Sequence, residues 1–151
     1  MHEDILDLLP YKSSFRFVDH ITELSADGVK GDYTLRKDAF FYEDHFPGNP
    51  VTPGVIMTEI MAQIGVVVLG IYLICEGRAE GIRSAKEVVP LLASTDVSFY
   101  KMVLPGEKVS VVSRKEYFRF NKLKCKVEMF NAANETVARG TFSGFIKPWE
   151  N

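Results

Sequence analysis

His45 lies in a loop rich in proline and glycine, HFPGNPVTPG, and Glu59 follows it fourteen positions later inside an apolar run, IMTEIMAQIGVVVLGIYLI. An imidazole held stiffly beside Phe46, Pro47 and Gly48 could act as a general base near neutral pH. A histidine at the surface or at the core edge would look the same, so the residues alone leave both readings open. Glu59 is the one charged residue in its run, and a lone carboxyl inside a buried helix is costly without a task or a partner. Burial would raise its pKa and let it serve as an acid at pH 7. Gln63, four positions on, shares its helical face and could satisfy it. Gly54 would open the helix, with a free amide pointing where negative charge is favoured. The plain alternative is that a turn needed glycine.

Other residues offer less. His2 and His20 have no comparable setting. Ser13 and Ser14 lack the strand-turn-helix context of an activated serine. His45 with Glu43, Asp44 and Glu59 has no metal-ligand spacing, so no metal is expected. No phosphate-binding glycine loop follows a strand. Lys122, Lys124 and Lys126 alternate along a strand beside Arg119, which reads as a solvated outer face, with an acidic protein partner as the second reading.

These groups need elements to carry them. Pro53 and Gly54 fix where a helix can begin, and residues 55–74 are apolar on nearly every face, so the helix must be wrapped on all sides. Around it the sequence predicts a short helix over 3–9, a strand over 15–24 and a returning strand over 29–37 through the Asp27-Gly28 turn. Residues 38–46 read as a short helical or irregular piece. The polar stretch 76–87 reads as a mobile connection. Strands are expected over 88–100, 107–120, 122–130 and 135–146, with turns at Pro105-Gly106, Asn121 and 131–134. Small residues on one face of the last strand, Ala138, Gly140 and Gly144, would let the helix approach the sheet. One long helix and about six strands, mostly joined by hairpins, argue an α+β fold with an antiparallel sheet curled around the helix.

The 151 residues, 46% apolar and 25% charged, suit a single domain over 1–151 with a substantial core. A net charge of −2 offers nucleic acid no global attraction. Cys75 and Cys125 show neither a disulfide framework nor metal spacing, which suits a reducing cytoplasm, and the opening residues do not resemble a secretory signal. The run 55–74 is long enough to cross a bilayer. Glu59 and Gln63 would then sit in hydrocarbon, and no Lys or Arg flanks its start, so no membrane span is expected.

The segment from His45 to Gln63 resembles the 3-hydroxyacyl-[acyl carrier protein] dehydratases of bacterial fatty-acid synthesis, FabZ type. Their motif, Gly-His-Phe-Pro-Gly-x-Pro-Val-Met-Pro-Gly-Val-Leu-x-x-Glu-Ala-Met-Ala-Gln, is matched by Asp44-His45-Phe46-Pro47-Gly48-Asn49-Pro50-Val51-Thr52-Pro53-Gly54-Val55-Ile56 and then Glu59-Ile60-Met61-Ala62-Gln63. Leu9-Pro10 with residues 15–19 resembles the family's opening, and FYKMVLPG at 99–106 its Phe-Lys-Arg-Pro-Val-x-Pro-Gly strand. The resemblance implies a hot-dog fold and elimination of water from a (3R)-hydroxyacyl thioester to give the trans-2-enoyl product. It implies His45 and Glu59 as catalytic base and acid, Gly54 and Gln63 as oxyanion and positioning groups, and Lys101 as a docking cation for acyl carrier protein. No cofactor is implied. A homodimer or trimer of dimers is implied, with His45 facing the neighbour's Glu59.

The related FabA type has aspartate where Glu59 stands. Tyr11 and Ser14 replace the family's opening histidine and proline, Asp44 replaces a glycine, and the stretch between Glu59 and Phe99 is longer than usual. Those departures would suit a specialised dehydratase making a polyene or another unusual acyl chain. A hot-dog thioesterase and a non-catalytic acyl-binding subunit are the other readings.

Overall fold

The computed structural model describes residues 3–149; His2 lies outside them. Six strands form one antiparallel sheet in the order β1-β2-β4-β5-β6-β3. They are β1 (His20–Ser25), β2 (Gly28–Thr34), β3 (Val88–Phe99), β4 (Lys108–Arg119), β5 (Lys122–Phe130) and β6 (Thr136–Pro148). A one-turn helix α1 (Glu3–Leu6) opens the described chain. The central helix runs from Gly54 to Cys75 as α2 (Gly54–Ala62), a single π turn (Gln63–Val67) and α3 (Val68–Cys75). The sheet wraps this helix, in the α+β hot-dog layout the sequence predicts. Of its most apolar eighteen-residue window, 78% is buried inside the fold, so its hydropathy is that of a core helix.

The hairpins form where the turn residues place them. Ser25 pairs with Gly28 across the first. Phe120 and Asn121 turn the β4–β5 hairpin with φ of 52° and 58°, the left-handed pair that a two-residue turn requires. Leu123, Cys125, Val127 and Met129 of β5 are fully buried. Lys122, Lys124 and Lys126 stand on its other face, where Lys124 and Lys126 reach Glu116 at 3.7 and 3.6 Å. That is a solvated face on which one carboxylate meets two of the three lysines.

Three expectations change. Residues 15–19 are not strand: Ser13–Phe15 is a 3₁₀ turn, Phe15 and Phe17 bond to the side chain of Gln63, and only Asp19 reaches β2, its amide donating to the Asp32 carbonyl at 2.9 Å. Residues 76–87 are mostly exposed but anchored at two places. Ala79 and Ile82 join Ile74, Val88 and Ile146 in a small second core, and the Asn121 amide bonds both the N–H and the C=O of Glu80. The small residues that allow close helix–sheet approach lie mainly on the helix. A Cβ on Gly65 would come within 3.0–3.2 Å of Val127 and Ser113, and one on Gly70 within 2.6 Å of Ile146. Of the two β6 glycines, Gly144 meets the helix at Val66, whereas Gly140 abuts the β3 backbone.

β3 is one of the sheet's two edges, β1 being the other. The far side of β3 pairs with nothing among the described residues, and Leu91, Leu92 and Phe99 are 45–50% exposed. Pro90, which lacks a backbone donor, is accommodated on such an edge.

Candidate active site

Three prolines and a positive-φ pair shape the loop after residue 42. Phe46 adopts φ 59° and Gly48 φ 81°; the first is uncommon for a bulky residue and persists only where the surroundings enforce it. They do so here. The His45 amide donates to the Phe41 carbonyl at 3.1 Å, the Thr52 amide to Val103 at 2.8 Å, and the buried Thr52 hydroxyl pairs with that of Tyr42. The imidazole is then fixed from within its own loop, its Nδ1 lying 2.8 Å from the carbonyl oxygen of Val51. A carbonyl only accepts, so Nδ1 carries the hydrogen and Nε2 of the neutral ring is left with the lone pair. His45 is half-buried, and the Phe46 ring packs against it at 4.4 Å.

Glu59 is held by the core. Gln63 is fully buried and uses all its hydrogens: Nε2 donates to Glu59 Oε2 at 2.8 Å and to the Phe15 carbonyl at 2.9 Å. Its Oε1 accepts from the Phe17 amide at 2.8 Å. The two backbone partners fix the amide's orientation, since one can only accept and the other only donate. Glu59 Oε2 is thereby engaged as an acceptor, and Oε1 is the oxygen free to carry a proton. Burial raises the carboxyl's pKa above its ordinary value, and the bond from Gln63 offsets part of that rise.

Glu59 opens into a cleft of about 200 Å³ between the central helix, the N-terminal segment and the β6–β3 edge. Ala62, Val66 and Val67 line it from the helix, and Leu91, Leu92 and Phe145 from the strands. His45 does not line this cleft. Within one chain, the structure brings Gln63 to Glu59 but does not place His45 on a common cavity with them.

Gly54 starts α2 behind Pro53, and its backbone is exposed. A Cβ there would sit in ordinary contact with the Phe99 ring, at 3.5 Å, and its φ is not positive. Neither space nor backbone conformation forces glycine at this position. Lys101 lies at the end of β3 in an ion pair with Glu135 at 3.2 Å, with both side chains about half exposed. Among the described residues no cluster of three or more His, Cys, Asp or Glu side chains could hold a metal ion.

Sequence reasoning missed several contributors. The Val51 carbonyl that orients His45 is backbone, which carries no side-chain signature. The cleft is assembled from four separated stretches, and no local pattern joins them. Ser113 donates to the buried Gly65 carbonyl in the π turn at 2.8 Å, and nothing in the sequence around it announces that contact.

The FabA-like domain family matches residues 9–140. The 3-hydroxyacyl-[acyl-carrier-protein] dehydratase FabZ of Caldicellulosiruptor saccharolyticus is 35% identical, over 95% of this chain and 96% of its own. The same-named protein of Rhodospirillum rubrum is 30% identical, over 94% and 84%. Among solved structures, the dehydratase heterocomplex ApeI:P of Xenorhabdus doucetiae superposes with a TM-score of 0.73 at 15% identity, covering 96% of this chain and 91% of that one. A hypothetical thioesterase with coenzyme A from Streptococcus pneumoniae TIGR4 covers the whole of both chains at 0.63 and 11% identity. At such identities the structural likeness speaks for the fold alone.

Proposed function

The chain belongs to the FabA-like domain family, and from that membership we propose that it is a (3R)-hydroxyacyl-[acyl-carrier-protein] dehydratase. It removes water from an acyl chain on its carrier protein to give the trans-2-enoyl thioester, as a hydro-lyase of fatty-acid or related acyl-chain synthesis. Residues 1–151 act as one hot-dog domain, in the cytoplasm with their carrier-bound substrate.

The C2 proton of a thioester is weakly acidic, so charge must be stabilised on the thioester oxygen as that proton leaves. The Gly54 amide at the start of α2 is the donor for that oxygen. His45 Nε2 takes the proton. Glu59 Oε1 gives its proton to the departing C3 hydroxyl, the C3–O bond breaks and water leaves. The imidazolium and carboxylate then return to their starting states by proton exchange with solvent. Elimination moves no net electrons, so no redox cofactor enters. The observation that carries this reading is the division of labour: a carboxyl pushed towards its protonated form in an apolar cleft, and an imidazole whose Nε2 is kept free by the Val51 carbonyl.

The two groups act across a dimer. His45 and Glu59 share no cavity within one chain, and the exposed apolar residues of β3 offer an edge along which a second copy can extend the sheet. A partner paired there would bring its own His45 loop to this chain's cleft. Lys101 contributes to carrier docking.

The test is formation of enoyl thioester from a (3R)-hydroxyacyl substrate by the wild type, His45→Ala and Glu59→Gln. Both variants should lose about a thousandfold in turnover, and mixing the two should restore activity through mixed dimers. Release of free thiol without enoyl product would overturn the reading in favour of a thioesterase.

A further inference from the structure

Only two of the twelve residues lining the Glu59 cleft have polar side chains, Glu59 itself and Tyr11. Tyr11 is half-buried, and its hydroxyl makes no hydrogen bond to any described residue. Because no sealed side-chain oxygen or nitrogen lacks a partner among the described residues, that hydroxyl is accessible, on a residue that lines the cleft. A phenolic O–H facing an apolar cavity without a protein partner is a group waiting for a ligand atom.

Its ring is linked to the groups that hold Glu59. The Tyr11 ring packs against Phe15, centroids 6.0 Å apart, and Phe15 packs against Phe17 at 5.1 Å. Gln63, which clamps the carboxyl, also bonds the backbone of both phenylalanines. Tyr11 and Glu59 therefore line the same cleft and are linked to each other through Phe15 and Gln63. Burial, and after it the negative charge of Glu59, raise the phenol's pKa, so it remains an O–H donor wherever the enzyme works.

We propose that the Tyr11 hydroxyl hydrogen-bonds the C3 oxygen of the substrate, holding the leaving group against Glu59 and selecting hydroxylated over unsubstituted acyl chains. This rests on the dehydratase reading above. The C3 oxygen has two lone pairs. One takes the proton from Glu59 Oε1 while the other accepts from Tyr11, whose own proton stays in place throughout. A site that meets a substrate hydroxyl with a buried donor rejects the analogue lacking it, because the donor is then left unpaired.

The experiment uses the full chain carrying His45→Ala, which does not turn over, with and without Tyr11→Phe. Binding is measured calorimetrically for a (3R)-hydroxyacyl pantetheine thioester and for the saturated thioester of equal length. Phenylalanine keeps the ring and its packing on Phe15. Tyr11→Phe is expected to weaken binding of the hydroxylated ligand by about fivefold to tenfold, as for one neutral hydrogen bond, while the saturated ligand changes by less than about twofold. An unchanged ratio between the two ligands would overturn the proposal. So would an equal loss for both, which marks a merely structural role. Failure of the dehydratase reading would show separately, as absence of enoyl product from the wild type.

Discussion

The loop that carries His45 and the helical turn that carries Glu59 immobilise their side chains by different means. The loop is largely exposed. Its stiffness comes from prolines, from the left-handed Phe46 and Gly48, and from short-range bonds such as Nδ1–H to Val51. Glu59 is stiff because Gln63 is fully buried and ties the helix to residues 15–17. A group fixed by its own loop can be changed without disturbing the core. A group fixed through the core cannot, because the bonds that aim it also close the fold.

The contrast is open to direct attack. The largest effect expected is on turnover: His45→Ala should remove about three orders of magnitude in kcat while leaving the denaturation midpoint unmoved. A marked fall in stability would show that the loop is part of the core after all. Next is Gln63→Leu, which keeps the volume but strips partners from the Phe17 amide, the Phe15 carbonyl and Glu59. It should cost about 2–4 kcal/mol in urea unfolding as well as most of the activity.

A smaller effect concerns pH. The folded chain holds the Glu59 proton at pH values where the unfolded chain has already released it. The contribution of Glu59 to stability should therefore be greatest below the ordinary carboxylate range. It should fall as pH rises from there through the raised pKa, then level off. Glu59→Gln has no proton to lose, and unfolding followed across a pH series should lack that fall. The smallest effect is that of Lys101→Ala, on the surface and paired only with exposed Glu135. It should leave stability unchanged and raise KM a few-fold for the carrier-bound substrate but not for a pantetheine thioester. An equal rise for both substrates would remove Lys101 from docking.

The sequence made the helix, the six strands and their hairpins legible, because each is written in local terms: apolar period, turn residues, proline placement. Glu59 and Gln63 could be read as a pair from their spacing. Residues 15–19 were misread as strand because alternation signals an extended chain, and extended chain can bond to a buried amide as well as to another strand. The stretch 76–87 looked mobile because it is polar, yet Ala79 and Ile82 suffice to anchor it. The cleft stayed invisible because its walls come together only after the fold has formed.

The π turn at Gln63–Val67 has one more consequence. Such a turn accommodates one residue beyond what an α turn would hold, so a single helical wheel drawn through residues 54–75 puts its two halves out of step. Glu59 and Ala62 look into the cleft, while Gly70 meets Ile146 from a phase that uninterrupted α geometry would not give. Shortening the chain by one residue inside 63–67 would convert the bulge to plain α-helix and leave both flanks in their present orientations. Removing one residue from the uninterrupted turns on either side would instead rotate everything beyond it by about 100°. Length variation in this helix is thus confined to one turn, the one that Ser113 braces from the sheet.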